Sequence, residues 1–164
     1  MIYKLKMIGC KPFSINNAYY KRTFTHTKAF RAWRETIFKE LKKDYNQIVF
    51  EKARAYIKYL EDQGKTVAVK LHIRSYIESS YFWTLKKTIS KRSMDLSNTE
   101  KGLIDIICNS SVNMNYNLLN LDYDDKNIVD MGSSKRPSKE WKILVNFEIA
   151  GAIKGENNEL IMEF

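Results

Sequence analysis

The sequence predicts an α+β fold: a single domain, with a mostly antiparallel mixed sheet packed with helices. Three observations carry this. Several stretches alternate apolar and polar residues with the period of a strand. Two stretches between positions 27 and 60 instead repeat apolar residues at helical spacing. No internal repeat or linker divides the chain, and 164 residues at 44% hydrophobic and 29% charged suit one domain over 1–164 with a real core.

Residues 2–9 read as a first strand, followed by an irregular stretch from Lys11 to Tyr20. From about Thr27 a helix places Ala29, Phe30, Trp33, Ile37, Phe38 and Leu41 on one face, with Lys28, Arg31, Arg34, Lys39 and Lys42 on much of the rest. That spacing marks the aromatic residues as core and not as base-stacking platforms. A second helix is expected from Ile48 to Leu60, ending before Gly64. Val67, Val69, Leu71, Ile73 and Ile77 then alternate with polar residues, predicting a strand with one buried face. Tyr81 to Ile89 is expected to be its hairpin partner, turning near Glu78-Ser79-Ser80. A short helix is expected from Asn98 to Cys108, opened by the capping box Ser97-Asn98-Thr99-Glu100. Residues 109–121, rich in Asn, read as a loop insertion. Lys126–Met131 and Trp141–Ile149 read as closing strands.

Net charge is +9, from 28 basic and 19 acidic residues, and it is unevenly spread. Residues 1–91 hold 20 Lys/Arg against 7 Asp/Glu, whereas residues 92–164 hold 8 against 12. Seven acids fall between Asp95 and Asp130, opposed there only by Lys101 and Lys126. A basic body suits a polyanion, because neutralised phosphates release counterions. General solubility or a membrane-surface patch would explain the charge alone. Carboxylates clustered within a basic chain point further, since a DNA-facing surface has little use for them unless they hold a cation. No apolar run is long enough to span a membrane, and Met1-Ile2-Tyr3-Lys4-Leu5-Lys6 does not read as a signal peptide. Cys10 and Cys108 have no metal or redox spacing and are expected to be reduced thiols of a cytoplasmic protein.

The chemistry is concentrated in Arg92-Ser93-Met94-Asp95-Leu96-Ser97-Asn98-Thr99-Glu100-Lys101-Gly102-Leu103-Ile104-Asp105. On a helix starting near Ser97, the residues Asn98, Lys101 and Asp105 share one face, and Leu103, Ile104 and Ile107 turn to the core. Asp95 stands just before the helix, near its positive end. Downstream, Leu121-Asp122-Tyr123-Asp124-Asp125-Lys126 brings more carboxylates to the start of a strand. Such a set could hold Mg²⁺ through oxygen ligands, with a lysine to steady charge developing on a phosphate. Taken singly, each acid would be an ordinary solvated charge, and Lys101 could merely pair with Asp105. Neither His26 nor His72 has ligand spacing.

The pattern Asp-Leu-x-Asn-x-x-Lys-x-x-x-Asp, followed by Asp-Asp at a strand start, resembles that of the RusA-like Holliday junction resolvases. Pro12-Phe13-Ser14-Ile15-Asn16-Asn17-Ala18-Tyr19 is similar to the family's N-terminal Ser-x-Asn segment. The resemblance covers most of the chain in order and spacing. It implies a RusA-like fold and a homodimeric, magnesium-dependent endonuclease that nicks four-way DNA junctions symmetrically. By the same resemblance Asp95 matches a metal ligand, Lys101 the catalytic lysine and Asp125 a further essential carboxylate, with Asp105 and Asp124 supporting the metal. Asn16, Lys21, Arg22, Arg31, Arg34, Arg74, Lys135 and Arg136 are candidates for the DNA surface. Two features depart from the family. Ser97 stands where a second Asp is usual, and the stretch between Asp105 and the Asp-Asp pair is long. Ser97 keeps a second reading open, a catalytically impaired protein that binds branched DNA. An RNA-binding module lacks any recognition signature here.

Overall fold

Alternation along the first strand decides which side of the sheet is covered. In the computed structural model, which describes residues 1–14, 21–22, 26–93, 100–108 and 125–163, β1 (Ile2–Ile8) buries Tyr3, Leu5 and Met7 and exposes the residues between them. The central strand β4 (Lys142–Lys154) pairs antiparallel with β1 from Glu148 opposite Ile2 to Lys142 opposite Ile8. On its other edge it pairs antiparallel with β2 (Thr66–Glu78), which in turn pairs in parallel with β3 (Ile128–Ser138). The sheet order is β1-β4-β2-β3. A fifth strand, β5 (Leu160–Glu163), pairs antiparallel with Gly151–Lys154 of β4, continuing the edge that β1 leaves free. The sheet is therefore mixed and mostly antiparallel.

One sheet face carries Leu5, Val69, Leu71, Ile73, Ile143, Val145, Phe147 and Ile149, and the helices cover it. Tyr3 stacks on Phe147 directly opposite, with ring centroids 5.2 Å apart. Helix α1 (Lys28–Leu41) begins where the Thr27 hydroxyl accepts the N–H of Phe30 at 3.2 Å, and it buries Phe30, Trp33, Ile37, Phe38 and Leu41. Helix α2 (Asp44–Asp62) buries Phe50, Ala53, Ile57 and Leu60. It stops where Gly64 takes φ +70°, a conformation that glycine adopts without penalty. The opposite sheet face, with Lys4, Lys6, Lys70, His72, Arg74 and Lys142, is not covered by any helix among the described residues.

Four sequence expectations change. Helix α2 starts at Asp44, a turn before Ile48, because its first turn is held by polar side chains that a hydrophobic pattern does not register. Asn46 is fully buried: its Oδ1 accepts the Lys6 N–H at 2.9 Å, and its Nδ2 donates to the carbonyls of Lys6 at 2.7 Å and Glu40 at 2.9 Å. Gln47 donates to the Leu41 carbonyl at 2.7 Å. Tyr81–Ile89 is not the hairpin partner of β2, because β4 and β3 occupy both edges of that strand. The chain turns instead into the single-turn helix α3 (Ser79–Phe82) and a small closed loop. β3 runs to Ser138, well past Met131, and β5 is additional.

Helix α4 (Glu100–Cys108) agrees with the described part of its expected span; Ser97, Asn98 and Thr99 of its capping box and residues 109–121 lie outside the described residues. Cys10 is a buried free thiol, pushed up to about 11 by burial and by the Glu40 charge, which outweigh the opposing pull of Lys43. No described helix is long and apolar enough to cross a membrane.

Replacing Asn46 with Ala strands the Lys6 N–H and carbonyl, while the Glu40 carbonyl keeps its bond from the Lys43 N–H, and is expected to cost roughly 2–4 kcal/mol in urea unfolding. A loss below about 0.5 kcal/mol would show that water replaces the amide. Glu40 gives a second test. Burial raises its pKa, but hydrogen bonds from Lys43, Tyr45 and the Ile8 N–H, together with the Lys43 charge, bring it below the ordinary 4.5. Its stabilisation is complete above 4.5 and is lost as pH falls toward the lower folded pKa, since the unfolded carboxylate takes up its proton first. Glu40→Gln is therefore expected to flatten the acid limb of the stability curve, read by thermal unfolding between about pH 2 and 6.

Candidate functional site

Gly102 sets how closely α4 can approach α1. A Cβ there would lie 3.2 Å from the Trp33 ring and 3.3 Å from Phe30, closer than such contacts normally run. Leu103, Ile104, Ile106 and Ile107 are buried as well. The polar face of α4 carries Lys101 and Asp105. Their charged atoms are 3.8 Å apart, with the Lys101 side chain 59% exposed and that of Asp105 13% exposed. The i,i+4 pairing that the sequence allows is thus present; alone it is worth a few tenths of a kcal/mol.

His26, to which sequence spacing gave no role, stands beside this pair. Its Nδ1 is 3.3 Å from Arg34 Nη1, and its ring meets Phe30 edge-on at 4.9 Å. Burial lowers its pKa first, Arg34 and Arg31 lower it further, and Asp105 pulls in the opposite direction. The imidazole thus reports that Asp105, Arg31 and Arg34 share one neighbourhood. Only folding brings the start of α1 to α4, so no local motif marks it.

Helix α4 lies against the turn Asp125–Asn127 that opens β3. Asn127 ties this turn to β2 through a 2.8 Å hydrogen bond from Nδ2 to the Val67 carbonyl. The turn that begins at Asp125 thus stands between β2 and the helix bearing Lys101 and Asp105. Asp95, Asp124, Ser97 and Asn16 lie outside the described residues, as does the side chain of Asp125.

The candidate DNA-binding cations divide into groups. Lys21 and Arg22 are exposed ahead of α1, and Arg31 is exposed on it, next to the α4 site. Arg34 lies over the Phe38 ring at 5.9 Å, so its stem serves packing as well. Arg74 and Arg136 belong to the open sheet face. There Arg74 Nε donates to Ser134 Oγ at 3.3 Å, and a His72 ring nitrogen is 3.2 Å from the same hydroxyl. Lys135 projects to the other side and donates to the buried Ser93 hydroxyl at 2.8 Å. These residues do not form one continuous surface.

A shallow cavity of about 250 Å³ on the open sheet face is lined by Ile2, Lys70, His72, Asp130, Asn146 and Glu148. It lies across the sheet from α4. Among the described residues, no three His, Cys, Asp or Glu side chains are grouped to hold a metal ion.

The His26 imidazole is expected to titrate below 6.5 in metal-free protein, and Asp105→Asn should move it further down. NMR of the ring protons checks this; an unchanged midpoint in Asp105→Asn would separate Asp105 from the cluster. No family model matches the chain, and no curated protein matches it.

Proposed function

We propose that the protein is a structure-selective DNA endonuclease, acting as a homodimer and resolving four-way junctions by magnesium-dependent phosphodiester hydrolysis in DNA recombination and repair. The RusA-like resolvases are the family whose pattern it resembles. The observation that carries the reading is the convergence of the two halves of the acid motif. Helix α4, with Lys101 and Asp105 on one face, packs against the turn that begins at Asp125.

The donor chemistry fits a hard cation: the candidates all offer carboxylate oxygens, and Asp105 is already largely shielded from water. Asp95, Asp125, Asp105 and Asp124 would hold magnesium. When bound, it would polarise the phosphate and acidify a water. Lys101 carries its ammonium on the exposed face of α4, suited to steady negative charge on a phosphate oxygen. Arg31, exposed in the first turn of α1, and Lys21 and Arg22, exposed and ahead of it in sequence, would supply positive charge for the strand being cut. A two-fold dimer would present two equivalent sites to a nearly two-fold junction.

The test is cleavage of a labelled four-way junction, with a linear duplex as control, in Mg²⁺ and in EDTA. Paired, magnesium-dependent nicks near the crossover are expected. Asp95→Ala and Lys101→Ala should each lower cleavage by roughly 10²–10³-fold with junction binding retained. Parallel loss of binding and cleavage would instead assign those residues to structure. Ser97→Asp distinguishes the second reading: a large gain in cutting identifies an impaired site, and no gain means that another acid already serves.

A further inference from the structure

The strand registers align the open face of the sheet into cross-strand rows. Three consecutive rows run Lys4–Asn146–His72–Gly132, Lys6–Leu144–Arg74–Ser134 and Ile8–Lys142–Tyr76–Arg136, and they hold five Lys and Arg and no acid. Acids bound them on both sides. Glu148 and Asp130 flank Lys70 in the row before, and Glu78 stands in the row after. The cations therefore form a band across the strands, about 13 Å wide and about 14 Å long at ~3.3 Å per residue and ~4.8 Å per strand. Lys4, Lys6 and Arg136 are exposed, and none of the five joins an ion pair among the described residues. The middle of the band is not charged alone, because half-buried Leu144 has His72 and Tyr76 as diagonal neighbours. The His72 ring lies against β3 because Gly132 has no side chain; a Cβ there would be 3.0 Å from its Nδ1. Lys142 holds its ammonium 4.4 Å from the centre of the Tyr76 ring.

We infer that this band is a track for single-stranded DNA, with phosphates on the cations and bases against His72, Leu144 and Tyr76. Charge and apolar surface together decide the occupant. A duplex would use the cations and turn only its backbone to Leu144, whereas an unpaired strand uses both. A base on the Tyr76 ring takes the place of the Lys142 ammonium, which then meets a phosphate. The hollow of about 250 Å³ beside His72 has room for one base, since a cavity of roughly 150 Å³ holds benzene. Asp130 and Glu148 line it and can accept from exocyclic amino groups. The same acids and Glu78 repel phosphates on either side and keep the strand within the band. A second copy laid face to face would set five cations against five. The track lies across the sheet from α4, so the strand it holds is not the one offered to the candidate cutting site. The inference goes beyond the endonuclease reading, and only the choice of DNA over RNA rests on it.

The experiment compares full-length wild type, the double variant Lys4→Ala/Lys6→Ala and Tyr76→Leu, which keeps apolar bulk on the strand and removes the ring. Fluorescence anisotropy in EDTA reads binding to a labelled DNA strand of about twenty nucleotides, to its duplex and to RNA of the same sequence. Wild type is expected to bind the DNA strand more tightly than the duplex or the RNA. The double variant should bind that strand about tenfold more weakly, with its log K against log salt slope reduced by about 1.4. Tyr76→Leu should also weaken it about tenfold, with the slope unchanged and duplex binding unaffected. Both variants should cut a four-way junction in Mg²⁺ as wild type does. Wild-type affinity of both variants for the strand would overturn the track and leave the endonuclease reading intact. Equal losses of Tyr76→Leu on strand and duplex would overturn it too, as would cleavage that falls in step with strand binding. Tighter binding of RNA, or binding to phosphatidylserine vesicles that both variants abolish while strand binding is untouched, would assign the band to another partner and overturn it. Strand binding that both variants weaken, in a protein that cuts no junction, would support the track and remove the endonuclease reading.

Discussion

The Asn46 amide is fully buried and spans two elements, taking the Lys6 N–H on one side and giving its own protons to the carbonyls of Lys6 and Glu40. β1 pairs with β4 along only one edge, so the other would expose a row of backbone groups. The junction of α1 and α2 answers that row in place of a further strand. Asn46 serves Lys6, and the Glu40 carboxylate takes the Ile8 N–H at 3.2 Å. These contacts fix where α1 lies on the sheet. Phe30 and Trp33 of α1 then set the seat for Gly102, and through it the position of α4. The candidate chemistry is thus located by a polar contact at the far end of the same helix.

The elements that were legible in the sequence bury one face by a simple period. β1, β2 and β4 alternate, and α1 combines an apolar stripe with the Thr27 cap. Where burial is achieved by hydrogen bonding, periodicity fails, as in the first turn of α2 with Asn46 and Gln47. Strand partners were also hidden. The alternation of Val67 to Ile77 shows that a face is buried and says nothing of its neighbours, so Tyr81–Ile89 reads as a hairpin although β3 and β4 already fill both edges. β5 has four residues, most of them exposed, and so carries little pattern to read.

In the candidate site, the pairing of Lys101 with Asp105 could be read from their spacing, since four residues on a helix make neighbours. His26 could not, because its relation to Asp105 exists only once α1 and α4 pack. Charge counting had a similar limit. Lys135 counts as one more cation in a basic chain, yet its ammonium turns toward the helices and serves the buried Ser93. Arg34 divides its side chain between His26 and the Phe38 ring. Composition gives the sign of a surface; folding decides which charges reach it.

The central position of β4 has a consequence for the order in which the molecule can form. β4 joins β1, β2 and β5, yet it follows β1 by more than a hundred residues of sequence. Such long-range pairing makes folding slow, because loop closure must precede most of the favourable contacts. On the ribosome, β1 and β2 emerge well before the strand that lies between them. Until then β1 has only the Asn46 and Glu40 contacts on one edge, and β2 can gain no neighbour but β3, which emerges shortly before β4. The nascent chain therefore passes through a long interval with apolar strands unpaired, the condition in which a chaperone has most to bind.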